Sequence, residues 1–419
     1  MPSVCFYFQV HQPLRVRKYR IFDVGQNSSY FNDESGSNLD NKAIIEKVAR
    51  KCYLPANAVL LENIKNNPDF KASFSISGVA LEQFEKFAPE VLNSFKALVD
   101  TGNVELLSET YYHSLASIYS EEEFLNQVNL HRRKIHDIFG VTPSVFRNTE
   151  LIYSNDIAKL AEKMGYKGIL AEGADHVLGW RSPTFVYKPA GAENLKLLLK
   201  HYRLSDDIAF RFSSREWQEF PLTAPKFANW VSSHNGNGDT INLFMDYETF
   251  GEHQWEDTGI FEFLRYLPAE ILKNPDNNFA TPSEVLDKYD AVGELDVPYH
   301  VSWADTERDL SAWTSNDLQK EALETLYALG KEIIHIDDPE LIEDWRRLQT
   351  SDHFYYMCTK WWHDGDVHKY FSPYESPYEA FIAYMNVMQD MRLRLDAAKK
   401  KQEHEVSLNK LRPLRFSES

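Results

Sequence analysis

LFMDYETFGEH (Leu243–His253) is the stretch on which the fold reading turns. An apolar run passes straight into a dense group of acids, Asp246, Glu248 and Glu252, with His253 behind them. Buried strands of a parallel sheet read as near-continuous apolar segments. Acids gathered at one end of such a strand mark the place where the wall gives way to solvent. Working outward, the same texture recurs upstream. VCFYFQV (Val4–Val10), FKASFSIS (Phe70–Ser77), NVELLSETYY (Asn103–Tyr112) and SVFRNTELIY (Ser144–Tyr153) read as strands rich in aromatic and β-branched residues. YKGILAEG, NLKLLLKHYRL and TINLFMDYETF supply further strands, and the Asn/Gly patch SSHNGNGDT (Ser232–Thr240) is a turn entering the last of them. Helical patterns lie between. SEEEFLNQVNLHRRKIHDIFG has Ser120 as its cap and Gly140 as its stop, and SNDIAKLAEKMG is capped by Ser154 or Asn155 and ended by Gly165. Strands and helices in turn predict an α/β fold with a parallel sheet, closable into a barrel at this length.

Beyond about Phe279 the pattern changes. SNDLQKEALETLYALGKEII, DPELIEDWRRLQT and SPYEAFIAYMNVMQDMRLRLDAAKKKQ are long helical segments with acidic starts and basic ends, as the helix dipole favours. The reading divides the chain into a barrel over residues 1–280 and a mostly helical C-terminal region over 281–419. KWWHDGDVHKYFSPY (Lys360–Tyr374) is aromatic and polar enough either to line a cleft or to join bundle to barrel.

Composition narrows the partners. The 419 residues carry 63 acids against 45 bases, a net charge of −18. Nucleic-acid affinity comes largely from Lys and Arg on phosphates, so a nucleic-acid partner is disfavoured, as is an anionic membrane surface. No apolar run approaches the ~20 residues of a membrane span. Aromatic residues make up 14% of the chain, which suits stacking on flat apolar faces such as those of sugars or bases. Cys5, Cys52 and Cys358 lie far apart with no CxxC, which fits a reducing compartment and disfavours a zinc knuckle. The N-terminus shows no basic segment followed by an apolar one, so the expected location is cytoplasmic. The oligomeric state is left open.

In a parallel barrel, ligands bind beyond the C-terminal ends of the strands. Four predicted strand ends carry polar or ionisable groups: His11–Gln12–Pro13, Glu109 with Tyr111–His113, Asn148–Glu150, and Asp246 with Glu248 and His253. Two carboxylates across a cleft can split a glycosidic bond, one protonating the leaving oxygen while the other attacks the sugar or activates water. Glu150 and Asp246, each the first acid after an apolar strand, are that pair by position. Capping the next helix is the other role for such acids, though Glu150 lies too early to cap the helix near Asn155. A mononuclear metal on His11, His113, His253 and Asp246, as in polysaccharide deacetylases, is a further alternative that leaves Glu150 unexplained.

HQP at His11–Pro13 resembles the opening motif of glycoside hydrolase family 57. ELLSETYYHSL (Glu105–Leu115) resembles the second motif, FRNTELIYSNDI (Phe146–Ile157) the third, MDYETFGEH (Met245–His253) the fourth and HVSWADTERDLSAW (His300–Trp313) the fifth. All five stand in the family's order. The resemblance implies an incomplete (β/α)7 barrel followed by a C-terminal helical bundle, with no cofactor and no metal. It implies a retaining α-glucan hydrolase of the α-amylase type, acting on α-1,4 bonds of starch- or glycogen-like oligo- and polysaccharides. Glu150 is then the nucleophile and Asp246 the general acid/base. A 4-α-glucanotransferase or branching enzyme of the same family is the alternative. A retaining mechanism places the two carboxyl groups ~5–5.5 Å apart, with the acid's pKa raised and the nucleophile ionised. Candidate substrate-binding residues are His11, Gln12, His113, Trp180, Glu248, His253, Trp303 and Asp305. Trp180 and Trp230 are stacking platforms or packing residues.

Overall fold

A computed structural model describes residues 2–360 and 367–411. Residues 361–366 of the KWWHDGDVHKYFSPY segment therefore lie outside the described residues. The chain forms two compact units, one of residues 1–13 and 42–312, the other of residues 14–41 and 313–419.

The first unit is built on seven parallel strands: β1 (Ser3–Val10), β2 (Ala72–Ile76), β3 (Val104–Leu106), β4 (Val145–Arg147), β5 (Gly168–Glu172), β6 (Lys196–Lys200) and β7 (Thr240–Asp246). They pair as β7–β1–β2–β3 and β4–β5–β6. A single parallel bridge, Ser108 to Phe146, joins the two sets on one flank. On the other, the His201 N–H donates to the Asn242 carbonyl at 2.8 Å, and Asn242 Nδ2 donates to the Leu199 carbonyl at 2.9 Å. The wall is thus an incomplete barrel, with helices between successive strands and a helical C-terminal region in the second unit. This is the α/β architecture expected from the alternating patterns.

Successive strand residues point to opposite faces. Phe6, Phe8, Phe74, Leu106, Leu243 and Met245 face one way, in a cluster that includes the helices Leu54–Asn66 and Ile260–Leu272. Cys5, Tyr7, Leu107, Val145, Leu170, Leu198 and Phe244 form a second cluster on the other face. One step further along the same face stand Gln9, Glu109, Arg147, Glu172, Lys200 and Asp246. An apolar floor therefore carries a polar upper layer at the strands' C-terminal ends.

The strand lengths differ from the sequence reading. β3 and β4 keep only three ladder residues each, where the patterns predicted ten. Residues 107–112 and 148–153 are almost all buried, so the apolar signal outlasts the ladder. His201 ends the NLKLLLKHYRL strand, and Tyr202–Ala209 is a helix. Caps fall where expected: Ser120 Oγ accepts from the Glu123 N–H, Ser154 Oγ from Ile157, and Gly140 adopts φ 70°.

In the second unit the helices Asp317–Ile336, Pro339–Arg347 and Pro377–Leu411 are capped or opened by Asn316, Asp338 and Pro377. Trp345 sits over Gly330 and donates to the Leu326 carbonyl at 2.9 Å, and Asp390 accepts from Tyr30 at 2.5 Å. Among the described residues no helix is long and apolar enough to cross a membrane.

Candidate active site

Glu150 owes its position to a tight turn. The chain leaves β4 at Arg147, and Asn148 Nδ2 bonds back to the Ile152 carbonyl at 2.9 Å. Thr149 Oγ1 pairs with Thr110 Oγ1 at 2.7 Å. Between these ties Glu150 and Leu151 take left-handed backbone angles, φ 57° and 50°. Such angles cost of order 1–3 kcal/mol each for non-glycine residues and persist only where surrounding contacts impose them. One such contact is the strand-like passage through Trp303. Tyr153 and Val301 form an antiparallel bridge, and the Trp303 N–H donates to the Glu150 carbonyl at 3.2 Å. His113, Asp305 and Arg308 also have positive φ, so backbone strain gathers in these loops.

The Glu150 carboxylate meets two donors. Trp303 Nε1–H donates to Oε2 at 2.8 Å, and His113 Nε2 lies 3.3 Å from Oε1. His113 in turn places Nδ1 2.9 Å from Glu109. Burial opposes a charge on this imidazole, but the two carboxylates prevail and lift its pKa to about 9. His113 is therefore a cation at neutral pH. Burial pushes the Glu109 carboxyl up, yet His113, Arg147 and His131 hold it down at about 2. Gln9 Nε2 donates to Glu109 at 3.2 Å, while Gln9 Oε1 accepts from Tyr7 at 2.9 Å and Ser75 at 3.1 Å. A hydrogen-bonded chain thus runs from Tyr7 through Gln9, Glu109 and His113 to Glu150 and Trp303. Such buried networks are rigid when their members are satisfied.

Asp246 ends β7 in register with Gln9. Burial and then the neighbouring Glu150 charge raise its pKa to about 6, against the opposing pull of Arg147, His113 and Lys200. The two candidate carboxyls are thus close enough to feel each other. They also differ in surroundings: one is partly desolvated, the other accepts from an indole and an imidazolium. Differentiation of this kind separates an acid from a nucleophile.

The remaining expected residues are placed as follows. His11 stacks on His113, ring centroids 3.9 Å apart at 19°, with Nδ1 2.7 Å from Ser77 Oγ. Glu248 is buried and accepts from Tyr53, whose hydroxyl also interacts with the Gln12 side chain. Burial and the Asp246 charge push Glu248 up to about 8, the Tyr53 bond and backbone N–H groups notwithstanding. His253 sits in the following turn, its N–H on the Glu248 carbonyl, with burial holding its pKa down at about 4. Asp305 lies two residues past Trp303 at φ 53°. Trp180 is 90% exposed with the Arg181 guanidinium over its ring, so it is no packing residue, and no described residue ties it to the carboxyl pair. Trp230 packs on Phe227 and Trp217. Among the described residues, no group of three or more His, Cys, Asp or Glu could hold a metal ion.

Several site residues were not singled out from the sequence. Lys200 pairs with Glu172 at 3.4 Å and Asp206 at 3.2 Å, and Arg308 with the same two acids at 3.2 and 3.4 Å. Arg147 and Lys200 lie over the Trp303 ring at 4.9 and 5.4 Å. The signal was present: Arg147, Glu172 and Lys200 fall in phase with the inward apolar residues Val145, Leu170 and Leu198. A charge in that phase, at a strand's C-terminal end, points into the mouth.

A sequence profile described as glycosyl hydrolase family 57 matches residues 5–298, most of the chain, from within β1 through the other six strands. The chain belongs to this family. A Methanocaldococcus jannaschii protein named "Putative alpha-amylase" is 46% identical over 398 residues, covering 92% of this chain and 83% of that one. In fold the family reaches further. The GH57-type branching enzyme of Pyrococcus horikoshii superposes with a TM-score of 0.65 at 14% identity, over 88% of this chain and 87% of the enzyme. The alpha-amylase AmyC of Thermotoga maritima superposes with a TM-score of 0.61 at 13% identity, over 94% and 93%. One fold is thus shared by proteins named for different reactions, and the local chemistry must separate them.

Proposed function

We propose that this protein is a retaining α-glucan hydrolase of the α-amylase type, cleaving α-1,4-glucosidic bonds with Glu150 as nucleophile and Asp246 as general acid/base. The observation that carries this reading is the unequal treatment of two neighbouring carboxyls. Asp246, its pKa near 6, holds a proton to give to the glycosidic oxygen. Glu150 attacks the anomeric carbon as that bond breaks, forming a glycosyl ester. Its Oε2 is aimed by the Trp303 N–H, and the His113 imidazolium stabilises the carboxylate that leaves in the second step. There, ionised Asp246 takes a proton from water, which hydrolyses the ester with overall retention. His11, stacked on His113 and only partly buried, could bind a sugar hydroxyl, and the exposed Trp180 could offer its ring to a glucose unit. Six-membered sugar rings in an acidic, aromatic cleft fit the net charge and aromatic share of the chain. A cytoplasmic location, with a starch- or glycogen-like polymer as substrate, completes the reading.

The test uses maltoheptaose. The parent is expected to release reducing ends, and Glu150→Gln to lose that activity by about 10³-fold or more. Retention of activity by Glu150→Gln would refute the assignment. If product chains lengthen while reducing ends stay constant, the second step uses a sugar hydroxyl and the protein is a glucanotransferase.

A further inference from the structure

Arg147 is fully buried, and among the described residues its Nε, Nη1 and Nη2 have no hydrogen-bond partner. A desolvated cation without hydrogen bonds is among the costliest placements in a protein interior. Folding alone would favour an apolar side chain of similar length there. The neighbouring cations are different: Lys200 and Arg308 each share the Glu172 and Asp206 carboxylates. What Arg147 does meet is the Trp303 ring, at 4.9 Å from its centroid. That residue reaches Glu150 twice, by its indole N–H and by its backbone N–H.

Resting on the reading of Glu150 and Asp246 as the reacting pair, we propose that Arg147 is a positioning residue. Its buried guanidinium fixes the Trp303 indole in the orientation that holds Glu150. A cation over an indole face is a directional contact, and Lys200 adds a second cation at 5.4 Å from the same ring. The Arg308 Nη1 bond to the Trp303 carbonyl, 2.8 Å, anchors the backbone. Together these leave the indole N–H aimed at Glu150 Oε2.

The same charge acts on Asp246, which also faces Glu150, His113 and Lys200 and lies near the buried Glu248. When Asp246 gives its proton to the leaving oxygen, it becomes a carboxylate while Glu150 becomes a neutral ester. A fixed cation favours the carboxylate that forms, without any group having to move. Loss of the cation therefore leaves Asp246 protonated to higher pH.

Three measurements on the full chain test this. Arg147→Met removes a buried guanidinium without hydrogen bonds but also a charge that Glu109 and Asp246 feel, so it is expected to melt within a few degrees of the parent. Its kcat on maltoheptaose should fall about 100-fold, the scale of a misplaced reacting group, with KM within about threefold of the parent. The alkaline limb of its pH profile should move to higher pH, and Arg147→Lys should return the limb toward the parental position. Near-ultraviolet circular dichroism supplies a readout independent of activity: the band lost in Trp303→Phe should also be lost in Arg147→Met. A preserved band, or a parental kcat and limb in Arg147→Met, would overturn the inference. Should Arg147→Met fail to fold, Arg147→Gln carries the same measurements. A parent without glucan hydrolysis would sink the hydrolase reading, while the dichroism arm still decides the role of Arg147.

Discussion

At the scale of the residue, two carboxyls near one another have different neighbours: burial and the Glu150 charge push Asp246 up to about 6, while Glu150 accepts from the Trp303 indole and faces His113. The consequence is a pH profile. As the proposed acid, Asp246 must carry its proton in the first step, so kcat/KM is expected to decline as pH rises through about 6. Trp303→Phe keeps the aromatic bulk but removes the donor to Glu150. A hydrogen bond to a charged group contributes about 1.5–3 kcal/mol, so kcat should fall by roughly 10–100-fold. Glu248 makes a stability prediction. Its folded pKa, about 8, lies above the ordinary glutamate value of 4.5. The folded state therefore binds the proton more tightly than the unfolded chain. The stability from this group is complete below pH 4.5 and is lost as pH rises through about 8. Denaturant unfolding at pH 5 and pH 8 should show a smaller loss in Glu248→Gln than in the parent; an equal loss would disprove the assignment. The positions of Glu150 and Asp246 were legible in the sequence because each is the first acid after an apolar run. The Lys200, Arg308, Glu172 and Asp206 group was not, since its pairings exist only after distant loops meet.

At the scale of the element, the strands were legible through alternation, but their ends were not. β3 and β4 stop after three residues while burial continues, because the turns beyond them are packed under neighbouring loops. Turns that hold functional groups follow steric rules that apolar patterns do not record. Gly251, in the turn after β7, has φ 111°, and a Cβ there would stand 1.9 Å from the Lys51 carbonyl oxygen. Gly251→Ala is expected to destabilise the first unit by roughly 2 kcal/mol or more, measured by urea unfolding. Glu252, next in sequence, is held by Lys47 at 2.7 Å and Lys51 at 3.6 Å, so this part of the acidic cluster is structural. The helix Glu121–Phe139 offers a milder comparison: Ser120→Ala removes only a cap and should cost about 1 kcal/mol.

At the scale of the whole molecule, the order of short motifs identified the family more surely than any one motif. HQP is three residues; its force comes from four further motifs following in sequence, all in the first unit except Trp313, the last residue of the fifth. The division of that unit was less visible, because residues 14–41 leave it and belong with 313–419. Composition gave the correct general picture of an acidic, aromatic-rich chain but said nothing of mechanism. One feature links the scales in time. The indole–carboxylate bond joins positions 153 residues apart in the sequence. During synthesis, the ribosome extrudes the β4 segment long before it has made the partner. A nascent or truncated chain that stops short of Trp303 carries Glu150, the proposed nucleophile, without the indole that bonds to it, so the competence proposed for this pair would arrive late in translation, after most of the barrel has already emerged.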